Sequence, residues 1–489
     1  MIDLTMNEER LKRTVERARQ RNIIIPTFEQ MKNPYKVPAK IREKLKDVGL
    51  WDIDPANLFR ITWKNDPVSK GGLYGEVNFL ELPREITGTE ARIVALLGKW
   101  FPTGSHKVGP SLGCLVPRLV TGQFDPTMQK AIWPSTGNFC RGGAYNSQLL
   151  ACESIAILPE GMSRERFDWL KRVAGEVIAT PGSESNVKEI FDKTWELRRT
   201  RDNVVVFNQF EEFGNYLWHY QVTGLAIEEA FRHLAKPGDR FFGVALTSGS
   251  AGTLAAGDYI KKVFPTSKIV VGEALQCPAL SMNGHGSHRI EGIGDNLVPW
   301  IHNVRNTDMI VDVDDADSMT LIRLFNESAG WEYLRSRQVP QNLIEQLPLL
   351  GISGSANLIV AIKMAKYFEL TAKDVIFTVF TDSMELYGSR LEEMRREYGD
   401  YDLTDAAVDY HKSILGLGID WVKELSYYDR KTIHNLKYFT WIEQQGKDLE
   451  ELDAQWYEAD KYWGSIPPLA DRIDEMIRAF NRRTGLLGS

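Results

Sequence analysis

The stretch Arg240-Phe-Phe-Gly-Val-Ala-Leu-Thr-Ser-Gly-Ser-Ala-Gly-Thr253 decides the reading of the fold. From Arg240 to Leu246 the run is rich in Phe, Val and Leu and does not alternate, the pattern of a strand covered on both faces. Small residues then hand the strand over to a helix. Gly and Ser from Ser248 to Thr253 let the backbone approach an anion closely, with a helix N-terminus aimed at it. The loop is not G-x-G-x-x-G, and it lacks the Gly-Lys-Ser/Thr ending of a Walker sequence. It suits a cradle for a single phosphate; taken alone it reads equally as a tight βα turn.

Working outward, the same alternation runs from about Ala91 to Ser383. The other expected strands are Ala91–Leu97, Lys130–Trp133, Ser154–Leu158, Glu176–Ala179, Asn203–Phe207, Lys268–Val271 and Asp374–Phe380. Helical patterns lie between them. Val187, Ile190, Phe191 and Trp195 share one face, and Ser163 stands as an N-cap for a helix Arg164–Ala174. This βαβα order predicts an α/β fold with doubly wound parallel sheets, which bind ligands beyond the carboxyl ends of their strands.

Three further loops stand at such strand ends. Phe101-Pro-Thr-Gly-Ser-His-Lys107 leads into a Gly-containing helix start. A lysine there sits near the positive end of a helix and is partly buried, and both disfavour its ammonium form. A lysine of lowered pKa serves Schiff-base chemistry; in isolation Lys107 reads as an ordinary loop lysine. Pro134-Ser-Thr-Gly-Asn138 places hydroxyls and N–H groups at a helix start, which suits a substrate carboxylate or a plain N-cap. Thr381-Asp-Ser383 offers a hydroxyl or carboxylate to a ring nitrogen, or a cap to a helix Met384–Arg396.

Composition limits the function classes. The chain has 489 residues, length enough for about three domain-sized units. Apolar residues make up 43% and charged residues 26%, as in a soluble globular protein. The 13 tryptophans point to large cores or interfaces. A net charge of −7 speaks against nucleic acid as a partner. No apolar run reaches spanning length, so no membrane is expected. The N-terminal stretch Glu8–Arg21 is densely charged with both signs and reads as an amphipathic helix, with Thr5 and Glu8 at capping-box spacing, not as a targeting signal. Four cysteines without a C-x-x-C fit a reducing, cytoplasmic setting. His285 and His288 lack companion ligands at metal spacing, so no metal is expected. Cys140 reads as a packed small residue, and a helix near Pro468–Phe480, with Leu469, Ile473, Met476, Ile477 and Phe480 on one face, as core or homodimer packing.

Taken together and in order, the motifs resemble one family. The Thr103–Lys107 loop resembles the cofactor lysine loop of tryptophan synthase β chains. Ser135–Asn138, Leu158–Arg166, Glu176–Gly182, and Gln209-Phe210 with Asn215, His219 and Thr223-Gly224 are similar to segments of cysteine synthase and cystathionine β-synthase. So are Ser287-His-Arg-Ile-Glu-Gly-Ile-Gly294, Gly351–Ala356 and Asp382-Ser383 with Tyr387. Over roughly residues 75–395 the chain resembles the fold-type-II pyridoxal 5'-phosphate enzymes. The resemblance implies two doubly wound parallel-sheet domains with the cofactor between them. These are a smaller one over 91–212 carrying the lysine and asparagine loops, and a larger one over 213–395 carrying the phosphate loop. An extension over 1–90 would pack partly on the large domain, and a helical extension would occupy 396–489.

The resemblance also implies roles. Lys107 would form the internal aldimine and move protons at the α-carbon. Asn138 would bond the ring hydroxyl, and Gly249, Ser250, Ala251, Gly252 and Thr253 the phosphate. Ser383 would face the pyridine nitrogen, while Ser135, Thr136, Gly137 and Gln209 would take the substrate carboxylate. A serine is a weak acid, so the ring nitrogen can stay unprotonated. That suits cysteine-synthase-like β-elimination and β-replacement through an aminoacrylate better than transamination. The sequence departs from the pattern at Ala251, where glycine is usual, and at Phe139 and Cys140 after Asn138. Serine/threonine ammonia-lyase activity and threonine-synthase-like γ-replacement remain open, as does a role as the cofactor-carrying subunit of a larger complex. A homodimer is expected.

Overall fold

The structure, a computed structural model, describes residues 1–487. Its strands, in chain order, are β1 (Phe79–Leu82), β2 (Arg92–Leu97), β3 (Lys130–Pro134), β4 (Glu153–Pro159), β5 (Glu176–Thr180), β6 (Val204–Val206), β7 (Arg240–Thr247), β8 (Lys268–Ala274), β9 (Met309–Val313), β10 (Asp374–Phe380) and β11 (Val422–Glu424). They form two sheets. The smaller has the order β5-β4-β3-β6 and is parallel throughout. The larger has the order β1-β2-β10-β7-β8-β9-β11, with a parallel centre and an antiparallel strand at each edge.

The unbroken apolar runs have their expected cause. Every residue of β9 and β10 is buried, because helices cover both faces of the larger sheet. One of these, Ile352–Tyr367, is buried around most of its circumference, packs on β7, β9 and β10, and belongs to the core. The expected α/β fold with two parallel sheets therefore matches the structure, apart from the antiparallel edge strands β1 and β11 of the larger sheet.

The domain boundaries do not. The run 91–97 was expected to open the smaller domain, yet β2 pairs in parallel with β10 from Arg92 beside Val375 to Leu97 beside Phe380. A strand's own residues report that it is buried but not which distant strand lies beside it. The smaller sheet begins only at β3. The terminal extensions also enter the larger sheet, as β1 and β11 at its two edges. β9 was unforeseen because Asp312 interrupts its apolar run, and β1 and β11 because they are short.

The flanks are tied to each other. The helix Glu8–Gln20 is capped by Asn7, whose side chain accepts from the Arg10 N–H at 3.1 Å. Thr5 was the expected cap, but the Asn7 N–H is held by the Thr121 carbonyl at 2.8 Å, which sets the helix start there. The C-terminal helix Leu469–Thr484 buries Ile473, Ile477 and Phe480. Its Asn481 exchanges two hydrogen bonds with the Ile25 backbone, at 3.0 and 2.8 Å. Its Asp474 accepts from the N–H groups of Phe28 and Glu29 at the start of the helix Phe28–Lys32. The apolar face of the C-terminal helix is thus core.

Candidate active site

Lys107 is the residue immediately before the helix Val108–Thr121, at the end of the loop that leaves β2. The preceding His106 is fully buried between the rings of Trp63 and His219, and its N–H donates to the Thr381 carbonyl at 3.3 Å, just after β10. This locks the lysine loop to the neighbouring strand end. The Lys107 ammonium donates to Ser250 Oγ at 3.4 Å. Burial lowers its pKa to about 8, against the opposing pull of the nearby carboxyls of Asp295, Glu184 and Asp382. The neutral amine needed for attack on an aldehyde is therefore accessible close to neutrality. An expected consequence is that the rate at which the apoprotein takes up a pyridoxal aldehyde rises with pH and levels off above about 8, followed by stopped-flow absorbance.

The loop after β7 faces this amine. Ser250 Oγ also accepts from Asn215 Nδ2 at 3.0 Å, and the same amide donates to the Gln209 carbonyl at 3.0 Å. Among the described residues, no protein acceptor takes the backbone N–H groups of Ser250, Ala251, Gly252 or Thr253. Ala251 holds a left-handed φ of +63°, so the chain does seat an L-residue where glycine is the easier choice. A side chain is excluded at Gly252, where an added Cβ would stand 2.1 Å from Asn215 Oδ1. Lys107, Gly249–Thr253, Gly292 and Thr381 line one small cavity. Gly252→Ala is expected to weaken pyridoxal-phosphate affinity by at least about tenfold, some 1.4 kcal/mol, because the loop must move away from Asn215. Fluorescence titration of the apoprotein checks this.

The asparagine loop lies at the end of β3. Ser135 Oγ accepts from the Gly137 N–H at 3.1 Å and from Gln209 Nε2 at 3.2 Å, so three of the expected carboxylate-binding residues are already joined. Asn138 opens the helix Asn138–Leu149. Its Nδ2 donates to Asp382 Oδ2 at 2.5 Å, and its Oδ1 accepts from Arg141 at 3.2 Å. One N–H of the amide remains for a ligand. Cys140 packs behind it; its thiol donates to the Gly137 carbonyl at 3.0 Å, and burial pushes its pKa up to about 12, as befits an inert packed residue.

After β10 the acid and the hydroxyl part ways. Asp382 Oδ2 accepts from Asn138 and from the Tyr387 hydroxyl, at 2.7 Å for the latter, and Oδ1 lies against the backbone of Gly351. Ser383 is buried with its Oγ unpartnered. Both the Ser383 hydroxyl and Asp382 Oδ1 are without a hydrogen-bond partner; the hydroxyl, whose residue has no other engaged side-chain atom, is the group assigned to a ring nitrogen.

A fully buried Arg166 braces this side. It donates to the Thr136 carbonyl at 3.0 Å and to Tyr387 Oη at 2.8 Å, and pairs with Glu291 at 2.9 Å. Burial opposes its charge, but Tyr387, Glu291, Glu184 and Asp382 around it keep it protonated. Sequence reasoning missed the roles of Arg166, Glu184, Glu291 and Asp295. Arg166 and Glu291 lay inside quoted motifs, and Asp295 directly follows one, so position was available but function was not. His288 is a loop residue with both ring nitrogens engaged, by Gly294 and Ile290.

Residues 73–332, just over half of the chain, match the profile of the family described as pyridoxal-phosphate dependent enzyme. The chain belongs to that family. The enzyme is 27% identical to a probable cysteine synthase of Bacillus subtilis over 316 residues, 64% of this chain and 94% of that protein. It is also 27% identical to cystathionine beta-synthase of Saccharomyces cerevisiae over 315 residues, 63% and 59% of the two chains. Among solved structures it resembles O-acetyl serine sulfhydrylase isoform 3 of Entamoeba histolytica, with a TM-score of 0.56 at 19% identity, covering 69% of this chain and 93% of that one. A hydrogen sulfide-producing enzyme from Fusobacterium nucleatum gives 0.54 at 23%, covering 71% and 93%.

The residues present fit pyridoxal phosphate. The free N–H groups from Ser250 to Thr253 answer a phosphate, and the helix Leu254–Val263 that follows them adds its positive end. Lys107 is placed to hold the aldehyde, the spare N–H of Asn138 suits the ring hydroxyl, and the orphaned Ser383 Oγ suits the ring nitrogen.

Proposed function

We propose that this pyridoxal-phosphate-dependent enzyme eliminates and replaces a β-substituent of an L-amino acid, in the manner of cysteine synthase. The observation that carries the reading is Ser383, a buried hydroxyl with no hydrogen-bond partner directly after β10, beside an Asp382 carboxyl whose Oδ2 is taken by Asn138 and Tyr387. When bound, the cofactor supplies an electron sink conjugated to the substrate α-carbon. A hydroxyl at the ring nitrogen keeps that sink mild, which favours loss of a β-substituent over transfer of the amino group. Ser135, Thr136, Gly137 and Gln209 hold the substrate carboxylate at the start of the helix Asn138–Leu149. Lys107, neutral at modest cost, removes and returns the α-proton from the side of Ser250. The likeness to a probable cysteine synthase and to cystathionine beta-synthase supports the same chemistry.

The test is a substrate panel. Purified enzyme with O-acetyl-L-serine, L-serine or L-cysteine and a thiol or sulfide acceptor should release the β-substituent and form a β-replaced amino acid, seen by mass spectrometry. Steady release of ketoacid and ammonia without replacement would make it an ammonia-lyase instead. Transfer of the amino group to a ketoacid would sink the proposal. Four buried free cysteines support a reducing, cytoplasmic setting, and light scattering after gel filtration tests the proposed homodimer against membership of a larger complex.

A further inference from the structure

Asp295 is 6% exposed, and its Oδ1 has no hydrogen-bond partner. An unpartnered buried carboxyl is costly and rare outside functional sites. Its position is defined by the phosphate-type loop. The Gly294 N–H donates to the Ser248 carbonyl at 3.0 Å, which lays the segment before Asp295 along that loop. A Cβ added to Gly249 would stand 3.3 Å from Asp295 Oδ2, while the next residue, Ser250, accepts from Lys107. The carboxyl and the amine therefore address consecutive residues of one loop. Asp295 also leads the groups that hold the Lys107 charge. The other titratable groups in its neighbourhood are Glu184, on the loop after β5, and Cys277, on the loop after β8. No arginine pairs with it among the described residues. Burial raises its pKa to about 7, with Lys107 pulling the other way, so it holds a proton near neutral pH.

We propose that Asp295 is a catalytic acid that gives its proton to the departing β-substituent, fitting the enzyme to amino acids with an unactivated β-hydroxyl or β-thiol. This rests on the β-elimination reading above. As Lys107 takes the α-proton, the Cα–Cβ bond gains a second pair and the bond from Cβ to oxygen or sulfur breaks. The bonding pair leaves with the oxygen or sulfur, which takes the Asp295 proton and departs as water or hydrogen sulfide, leaving Asp295 as carboxylate. An incoming thiol reverses the last step: its sulfur bonds to Cβ and its proton returns to Asp295. An acetate group leaves without such help, because carboxylate is a weak base. A carboxyl at this position also disfavours an anionic nucleophile over a neutral one.

Three measurements test it. In the wild type, kcat/KM for L-serine and L-cysteine should fall as pH rises through the neutral range, where Asp295 loses its proton, while that for O-acetyl-L-serine should not. Asp295→Asn, checked for an unchanged melting temperature, should cut kcat/KM for L-serine and L-cysteine by about 100-fold or more and that for O-acetyl-L-serine by less than about tenfold. Independently of turnover, the infrared difference between wild-type and Asp295→Asn apoprotein should show a protonated-carboxyl band that titrates near neutral pH, over the common background of Glu273 and Asp258. Equal losses on all three substrates, a common pH profile, an unaltered infrared band, or a wild type that accepts only O-acetyl-L-serine would each overturn the assignment while leaving the elimination chemistry intact. Turnover of none of the three would overturn that chemistry itself.

Discussion

Lys107→Ala is expected to lower turnover by at least about 10³-fold while leaving the fold in place, since it removes both the covalent anchor and the proton carrier at the α-carbon. Its structural cost is small. The ammonium makes one long hydrogen bond, 3.4 Å to Ser250, and Ser250 keeps its bond from Asn215. The loop is held by backbone and by the buried His106, not by the lysine side chain. The measurement pairs kinetics with chemistry. Borohydride treatment of the loaded wild type should fix the cofactor to the peptide containing Lys107, and Lys107→Ala should retain none. Cofactor fixed elsewhere, or activity within tenfold of wild type, would remove Lys107 from the centre of the site. Loss of a buried amine whose pKa is held at about 8 also removes a pH dependence of stability. The folded lysine releases its proton before the unfolded one, so wild-type stability should rise between about pH 8 and the ordinary lysine range, and the alanine variant should lack that rise.

Arg166→Ala is the second large effect, and it falls on stability. Arg166 is fully buried, and its removal strands Glu291 beside Arg390 alone and takes from Glu184 its one ion-pair partner among the described residues. Breaking a buried pair from one side costs about 3–5 kcal/mol. The Thr136 carbonyl and the Tyr387 hydroxyl lose a donor as well. A marked fall in melting temperature and in denaturant midpoint is expected, together with weaker substrate binding through the loosened Thr136 loop. Arg166→Lys should recover part of the stability, because it keeps the charge, but not the forked contacts to Thr136 and Tyr387. A stability loss below about 1 kcal/mol in Arg166→Ala would contradict the network.

Much of the fold was legible along the chain. Strand β10 spans the residues expected of it, and the other expected strands start or end within a few residues of expectation, while β9 had no expected counterpart. A strand buried on both faces writes its environment into its own apolar run, and a βα turn writes its tightness into Gly and Ser. For the same reason the loops carrying Lys107, Ser135–Asn138, Ser248–Thr253 and Ser383 could be placed at strand ends and ranked by their chemistry. The flanks were less legible, since β1 and β11 are short edge strands whose partners lie far along the chain.

From sequence alone came the α/β class, the cofactor-type loops and their order, because each depends on a few adjacent residues and their local geometry. Only the tertiary structure decided that β2 belongs beside β10, that Asp382 Oδ2 is taken by Asn138 and Tyr387 while Ser383 Oγ has no partner, and that Asp295 and Glu184 share the field of Lys107. Those facts are set by which segments, hundreds of residues apart, pack against one another. Burial and charge act through space, so a pairing or a shifted pKa has no counterpart in the local pattern of either partner.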